Sequence, residues 1–288
     1  MTTKKKAKKS SRKMSTRAAM SVATNESRVL KDRVTAFAMT PAAVCESDEN
    51  LQATLTVVRN QDEPVEVRMA ALDALASAAF SSIAFAPCRP DYIATLRKIA
   101  DDPNPGIRET ALSALAAEKD GYAQKRLLDG LKNPDKALLP PEKALQILSF
   151  DVHSEAYVVA REIAKNPPNP AAKQEAMRLL AADAGSAPMF ENVLRDKDEL
   201  RENRQIAASA LRALNPDKLQ THAQEMLKDN TEFEDIQATS LVAITQFGDD
   251  EAVAKDSALM KGIKRLSTKA KSARYKKSAK SALSRYRG

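Results

Sequence analysis

A repeat of about 35 residues is the feature of this sequence that most restricts its fold. A small residue recurs along the chain, and an aliphatic residue follows it four positions later. The small residues are Ala71, Ala111, Ala144, Ala176, Ala207, Ser240 and Ala279, and the aliphatic ones are Leu75, Leu115, Leu148, Leu180, Leu211, Ile244 and Leu283. Residues four apart share one face of an α-helix, so each pair predicts a helix that a neighbour can approach closely. The intervals between the small residues are 40, 33, 32, 31, 33 and 39, which is typical of a repeat array with atypical ends.

A second helical stretch precedes each of these helices, and a polar turn rich in Pro, Asp and Asn separates the two. The turns at 101–106 and 166–170 are examples. Proline ends one helix and suits the first turn of the next, so each unit is predicted to be a helical hairpin. The chain has seven Gly and no Trp, which argues against sandwiches, barrels and propellers. We therefore predict an all-α fold, an α-solenoid of about six to seven hairpins.

The turn and second helix of these units resemble the HEAT repeat family, in particular the short HEAT-like repeats of phycobilisome lyases. The residues that carry the resemblance read Pro…Val/Ile-Arg-x-x-Ala-x-x-Ala-Leu, and they are clearest at 62–76, 102–116 and 166–182. The resemblance extends over roughly residues 45–285. It implies a right-handed superhelix whose second helices line the concave side. It does not imply an activity, because this fold serves many functions.

The same resemblance implies a ladder of hydrogen bonds between adjacent repeats, made by a turn Asp and a helix Arg. Arginine suits this role because its planar fork satisfies a carboxylate and turn carbonyls together. The ladder residues are Asp62, Arg68, Asp102, Arg108, Asp198 and Arg204. Pro141 and Gln237 stand where an Arg is expected, so the ladder should be interrupted at both.

Charge is concentrated at the two ends of the chain. Residues 1–17 carry eight Lys/Arg, residues 261–288 carry eleven, and neither segment contains an acid, so residues 18–260 have a net charge of −11. We expect a disordered basic tail at 1–24, a HEAT-like solenoid at 25–263 and a basic terminal helix or tail at 264–288. Clustered cations bind polyanions with little sequence preference. The predicted polyanion-binding residues are Lys4, Lys5, Lys6, Lys8, Lys9, Arg12, Lys264, Arg265, Lys269, Lys271, Arg274, Lys276, Lys277, Lys280, Arg285 and Arg287.

Cysteines and phenylalanines are interpreted as structural. Cys45 and Cys88 lie 43 residues apart without a CxxC motif, which predicts two reduced thiols. Phe80, Phe150 and Phe247 end second helices, which predicts that they pack in the core or between repeats.

The sequence contains no HExxH, GxSxG or GxxxxGK[ST] motif, and no Cys/His cluster. We therefore expect no catalytic residue, no metal and no cofactor, and the leading hypothesis is a non-enzymatic scaffold that binds a protein partner. The residues expected to contact the partner are Asp73, Ser113, Arg178 and Arg212.

Two alternatives remain open: a nucleic-acid-binding protein that contacts DNA or RNA through the basic tails, and a lyase-type enzyme subunit, which a bound chromophore would favour. No apolar run is long enough to span a bilayer, so we expect no integral membrane segment. The expected location is cytoplasmic, with nucleoid or nuclear association as the alternative. The oligomeric state is left open.

Overall fold

The computed structural model describes residues 14–150 and 154–287, and within them the regular structure is helical throughout. The chain divides into two compact units, Met1–Arg126 and Leu127–Gly288. The first unit contains α1 (Thr16–Ala23), α2 (Leu30–Phe37), α3 (Asp48–Arg59), α4 (Val65–Ala79), α5 (Ser82–Phe85), α6 (Arg89–Ile99) and α7 (Pro105–Ala117). The boundary between the units falls inside α8 (Gly121–Lys132).

The second unit contains α9 (Pro141–Leu148), α10 (Ser154–Lys165), α11 (Pro170–Leu180), α12 (Ala187–Arg195), α13 (Arg201–Leu214), α14 (Pro216–Lys228), α15 (Glu234–Phe247), α16 (Asp250–Lys255), α17 (Ser257–Lys269) and α18 (Ala273–Arg287). Two short 3₁₀ helices lie at Pro134–Lys136 and Ala184–Ser186.

Asn-Pro pairs begin three of these helices. The side chains of Asn104, Asn169 and Asn215 accept hydrogen bonds from the free N–H groups of the first turns of α7, α11 and α14. The proline that follows occupies the first helical position, where its missing N–H has no partner to lose. The turns predicted from Pro and Asn therefore separate the helices as expected.

Helices of one hairpin pack against each other, and within each unit neighbouring hairpins contact one another. In the described chain, seven hairpins pack in this way: α1–α2, α3–α4, α6–α7, α10–α11, α12–α13, α14–α15 and α17–α18. Second helices also contact second helices, as α2 contacts α4 in the first unit and α11, α13, α15 and α18 contact in series in the second. The predicted all-α solenoid class is confirmed.

Both repeat columns are buried. Every small residue and every aliphatic residue of the two columns lies in the core, from Ala71 and Leu75 at 0% exposure to Leu283 at 8%. The 3.6-residue period of the sequence therefore identifies the buried face of these helices.

The prediction that Phe80, Phe150 and Phe247 pack in the core is wrong. Their exposures are 92%, 64% and 42%. Phe80 follows Ala71 by nine residues, and nine steps of about 100° place it on the opposite side of the helix.

Cys45 and Cys88 form a disulfide, so the prediction of two reduced thiols is wrong. Cys45 lies in the loop between α2 and α3, and Cys88 directly precedes α6. The packing of α3 against α6 brings these loops together, and the two Cα atoms lie 6.2 Å apart, which is within disulfide reach. Sequence spacing alone does not reveal a contact of this kind.

Candidate functional site

An arginine near the start of a second helix links each of three pairs of adjacent hairpins. The Nε of Arg68 donates to the carbonyl of Val58 at 2.9 Å, and its guanidinium group forms an ion pair with Asp102 of the next hairpin. Arg68 and Asp102 are 2% and 3% exposed. These bonds satisfy the end of one helix and join it to the next hairpin.

Arg33 and Arg204 repeat this geometry. The Nε of Arg33 donates to Ala23 at 3.1 Å, and its guanidinium pairs with Glu63 at 2.6 Å. Arg204 donates to the carbonyl of Leu194 at 3.0 Å and pairs with Glu232. In all three cases the carbonyl lies ten residues before the arginine.

The structure corrects the acids that were assigned to this ladder. Asp62 and Asp198 are exposed, and the carboxylates that pair with ladder arginines are Asp102 together with two glutamates not predicted for it, Glu63 and Glu232. Arg108 donates to the backbone carbonyls of Asp102 and Pro103 in its own turn. The bond between adjacent hairpins has the expected form at Arg68 and Asp102, whereas the assignment of Asp62 and Asp198 is wrong.

Arg33 was missed, although its spacing of 35 residues from Arg68 is the repeat period and could have identified it. Gln237 stands at an expected arginine position and keeps part of the pattern. Its Nε2 donates to the carbonyl of Asp229 at 2.6 Å, but an amide cannot also pair with a carboxylate as a guanidinium does.

A groove lies between the second helices α11 and α13. Its volume is about 440 Å³, and Arg178, Glu202, Ile206 and Ser209 are among its lining residues. Arg178 also forms an ion pair with Glu175 on its own helix. Of the residues predicted to contact a partner, Arg178 lines this groove, whereas Arg212 is exposed outside its lining. Asp73 and Ser113 belong to the other unit, where Asp73 is exposed and Ser113 is half-buried.

The last two helices, α17 and α18, form a folded hairpin, which we call the terminal hairpin. Ala279, Ala282, Leu283 and Tyr286 of α18 are at most 8% exposed, and burial raises the pKa of the Tyr286 hydroxyl. The predicted boundary at 263/264 is wrong, because it falls inside α17.

At the other end, α1 begins at Thr16 and buries Ala19, Met20 and Ala23, so the prediction of disorder fails for residues 16–23. The predicted polyanion-binding residues Lys4, Lys5, Lys6, Lys8, Lys9 and Arg12 lie outside the described residues. The side chain of Arg287 does so as well.

Two basic residues of the terminal hairpin attach it to its neighbours. Arg265 donates to the carbonyls of Leu227 at 3.0 Å and Asp229 at 2.8 Å, at the end of α14. Arg285 donates to the carboxylate of Asp250 at 2.8 Å, which raises the pKa of its guanidinium. The sequence grouped both with polyanion-binding residues, but their donors are directed at the protein.

Most of the other cations of the terminal hairpin face solvent. Within the described part of this hairpin, seven exposed Lys and Arg side chains have no hydrogen bond or ion pair with protein groups. These terminal cations are Lys261, Lys264, Lys269, Lys271, Arg274, Lys277 and Lys280. Lys276 is half-buried. Residues 257–287 contain no acid, so the hairpin itself contributes only positive side chains, and carboxylates reach it from neighbouring elements at Glu234 and Asp250.

The described residues contain no group of three or more His, Cys, Asp or Glu side chains arranged to hold a metal ion. Within the same residues, no helix is both long enough and apolar enough to cross a bilayer.

A family comparison supports the repeat assignment. Residues 51–139 match the model of the HEAT repeat family, which confirms the resemblance over this part of the chain. Among solved structures, the complex of CpcE and CpcF of phycocyanin lyase from Nostoc sp. PCC7120 is similar, with 14% identity and a TM-score of 0.44. That match covers 92% of this chain and 98% of the other. The sequence matches no curated protein.

Proposed function

We propose that this HEAT-repeat protein is a non-enzymatic scaffold that binds a protein partner on its second helices and a polyanion on its terminal hairpin. The observation that carries the proposal is the set of seven terminal cations, exposed on a folded surface and without ion pairs in the described chain. A cation that the fold does not neutralise is available to an external anion.

The arrangement of these cations opposes helix stability. Lys261 and Lys264 are three residues apart on α17, and Arg274, Lys277 and Lys280 follow one another at intervals of three on α18. Residues three apart are neighbours on a helix surface, so these like charges repel one another. The first turn of α18 contains no acid of its own, but the carboxylate of Glu234 accepts the Lys271 N–H at 2.8 Å just before it. A bound anion would offset the repulsion between the like charges, whereas a purely structural role gives no reason for it.

Charge substitution on α18 tests the polyanion part. Arg274→Gln/Lys277→Gln/Lys280→Gln removes three exposed charges whose side chains form no hydrogen bond or ion pair in the described chain. The measurement is fluorescence anisotropy of labelled heparin with the full chain at about 50 and 200 mM salt. We expect the triple variant to bind at least about tenfold more weakly, with a smaller salt dependence.

The matched control is Lys132→Gln/Lys165→Gln/Arg195→Gln, which changes the net charge equally at exposed positions of the same unit. Equal weakening by both variants would assign binding to overall charge and overturn the polyanion part.

The groove between α11 and α13 supports the protein-binding part. Ile206 and Ser209 present apolar and small polar surface there, while Arg178 and Glu202 add opposite charges. Concave repeat surfaces of this mixed kind suit extended protein segments.

A photo-crosslinking residue at Ser209 tests this part, with one at Thr221, exposed on α14, as the control. We expect a discrete crosslinked protein from Ser209 that is absent from Thr221. No crosslinked protein, or the same set from both positions, would overturn it.

A further inference from the structure

We propose that the polyanion bound by the terminal hairpin is the phosphodiester backbone of a nucleic-acid duplex, rather than a single strand or an anionic bilayer. This inference rests on the proposed function and specifies its ligand class. The surface available for contact is the outer face of α17 and α18, because their inner faces pack on α14 and α15.

The terminal hairpin lacks an apolar anchor for a bilayer. Leu259, Ile263, Leu266 and Leu283 are all buried. Large exposed hydrophobic side chains occur elsewhere in the described chain, but none lies after Phe247. Helices that bind at a bilayer interface bury an apolar face among the lipids. In this hairpin the protein core already occupies that face, which disfavours a lipid ligand.

It also lacks an exposed ring on which to stack bases. Its two tyrosines are Tyr286, which is 6% exposed, and Tyr275, which is half-buried. The ring of Phe233, at the start of α15, carries the guanidinium of Arg201 at 5.2 Å from its centre. Proteins that bind single strands stack bases on exposed aromatic side chains. The terminal hairpin offers charges and hydroxyls instead.

The exposed groups form rows on rigid helices. Arg274, Lys277 and Lys280 follow one another at intervals of three on α18 and span about 9 Å at a rise of 1.5 Å per residue. Lys261 and Lys264 form a second row on α17.

A duplex carries one charge per about 1.7 Å of its axis, and its phosphates stand in fixed positions. It can therefore bind these rows of cations without first losing conformational entropy of its own backbone. A flexible strand would have to be ordered, which costs free energy. Ser281 is exposed beside these cations and can donate to a phosphate oxygen. Contacts of this kind are made to the phosphates and not to the base edges, so we expect little preference among base sequences.

The test compares four probes with the full chain at about 50, 100 and 200 mM salt. They are a 24-base-pair DNA duplex, an RNA duplex of the same sequence, a 24-nucleotide oligo(dT), and vesicles containing phosphatidylserine. We expect a duplex to bind at least about tenfold more tightly than oligo(dT). With about five phosphate contacts, its affinity should fall by on the order of 500-fold between 50 and 200 mM salt. The DNA and RNA arms show which duplex supplies the backbone.

The two charge variants locate the binding. Arg274→Gln/Lys277→Gln/Lys280→Gln should reduce the slope of log affinity against log salt for a duplex by about 3, whereas the control triple variant should leave it within about 1. Circular dichroism checks that both are folded.

The outcomes separate the two proposals. If no probe binds and heparin does not bind either, the proposed polyanion contact fails. If oligo(dT) or vesicles bind as tightly as the duplexes and respond to the α18 variant, that contact stands and the duplex inference is wrong. Duplex binding that the α18 variant leaves unchanged also overturns the inference.

Discussion

Removal of Asp102 should cost far more stability than removal of Asp62, although the two residues occupy equivalent places in the sequence repeat. Asp102 is 3% exposed and pairs with Arg68, which is 2% exposed. Loss of one partner of a buried pair leaves an uncompensated charge and costs about 3–5 kcal/mol. Asp62 is exposed, so Asp62→Ala should cost less than about 0.5 kcal/mol.

The double variant separates the ion pair from the rest of the site. In Arg68→Met/Asp102→Leu neither charge is buried alone, so the pair itself contributes little net loss. The Nε bond of Arg68 to Val58 and the bond from the Asn104 N–H to Asp102 still disappear, at about 1 kcal/mol each. We expect a total loss of about 2 kcal/mol.

Urea denaturation followed by circular dichroism measures the four variants: Asp62→Ala, Asp102→Ala, Arg68→Met and the double variant. The coupling energy between Arg68 and Asp102 should be at least about 2 kcal/mol. Equal costs for Asp62→Ala and Asp102→Ala, or a double variant that loses the sum of the single losses, would refute the assignment of the buried pair.

Three further predictions follow from the packing. Cys45→Ser/Cys88→Ser should destabilise the fold by about 2–4 kcal/mol in urea, because the disulfide closes a loop between residues 43 apart; unchanged unfolding would contradict it. Gly262→Ala should lower the melting temperature, because a Cβ there would lie 2.0 Å from a backbone oxygen of α14. Gly121→Ala should raise it, because a Cβ there would have no neighbouring atom within 4 Å. Calorimetry that finds the opposite order of melting temperatures would refute the packing of Gly262 against α14. The Asp229 carboxylate has a pKa of about 2, held below 3.8 mainly by a hydrogen bond from a lysine. The stability that this carboxylate contributes is present above about pH 4 and lost towards pH 2. Over this range, the free energy of unfolding measured in urea should fall by about 1 kcal/mol more for wild type than for Asp229→Asn. Parallel pH profiles of the two proteins would contradict this prediction.

Local periodicity predicted most of the fold. The spacing of Ala71 from Leu75, repeated along the chain, defined the buried face of each second helix, and all these positions are buried. The polar turns predicted at 101–106 and 166–170 separate helices, because turn formation and helix capping depend on neighbours in the chain.

Contacts between hairpins were predicted less well. The ladder was expected, but Asp62 was assigned to it in place of Glu63, because the conformation of the turn decides which carboxylate faces the arginine. The disulfide between Cys45 and Cys88 was missed for the same reason: two loops distant in sequence meet only when α3 packs on α6. The position of Phe80 at a helix end predicts burial, but its angular position on the helix, opposite Ala71, leaves its side chain exposed.

The candidate site shows the same division. The sequence by itself determined that the last hairpin is positive throughout, because charge is a property of composition. Only the tertiary structure decided that Arg265 and Arg285 are bound to the protein, whereas Arg274, Lys277 and Lys280 face solvent. Electrostatic interaction depends on distance and burial, and the packing of α17 and α18 on their neighbours sets both.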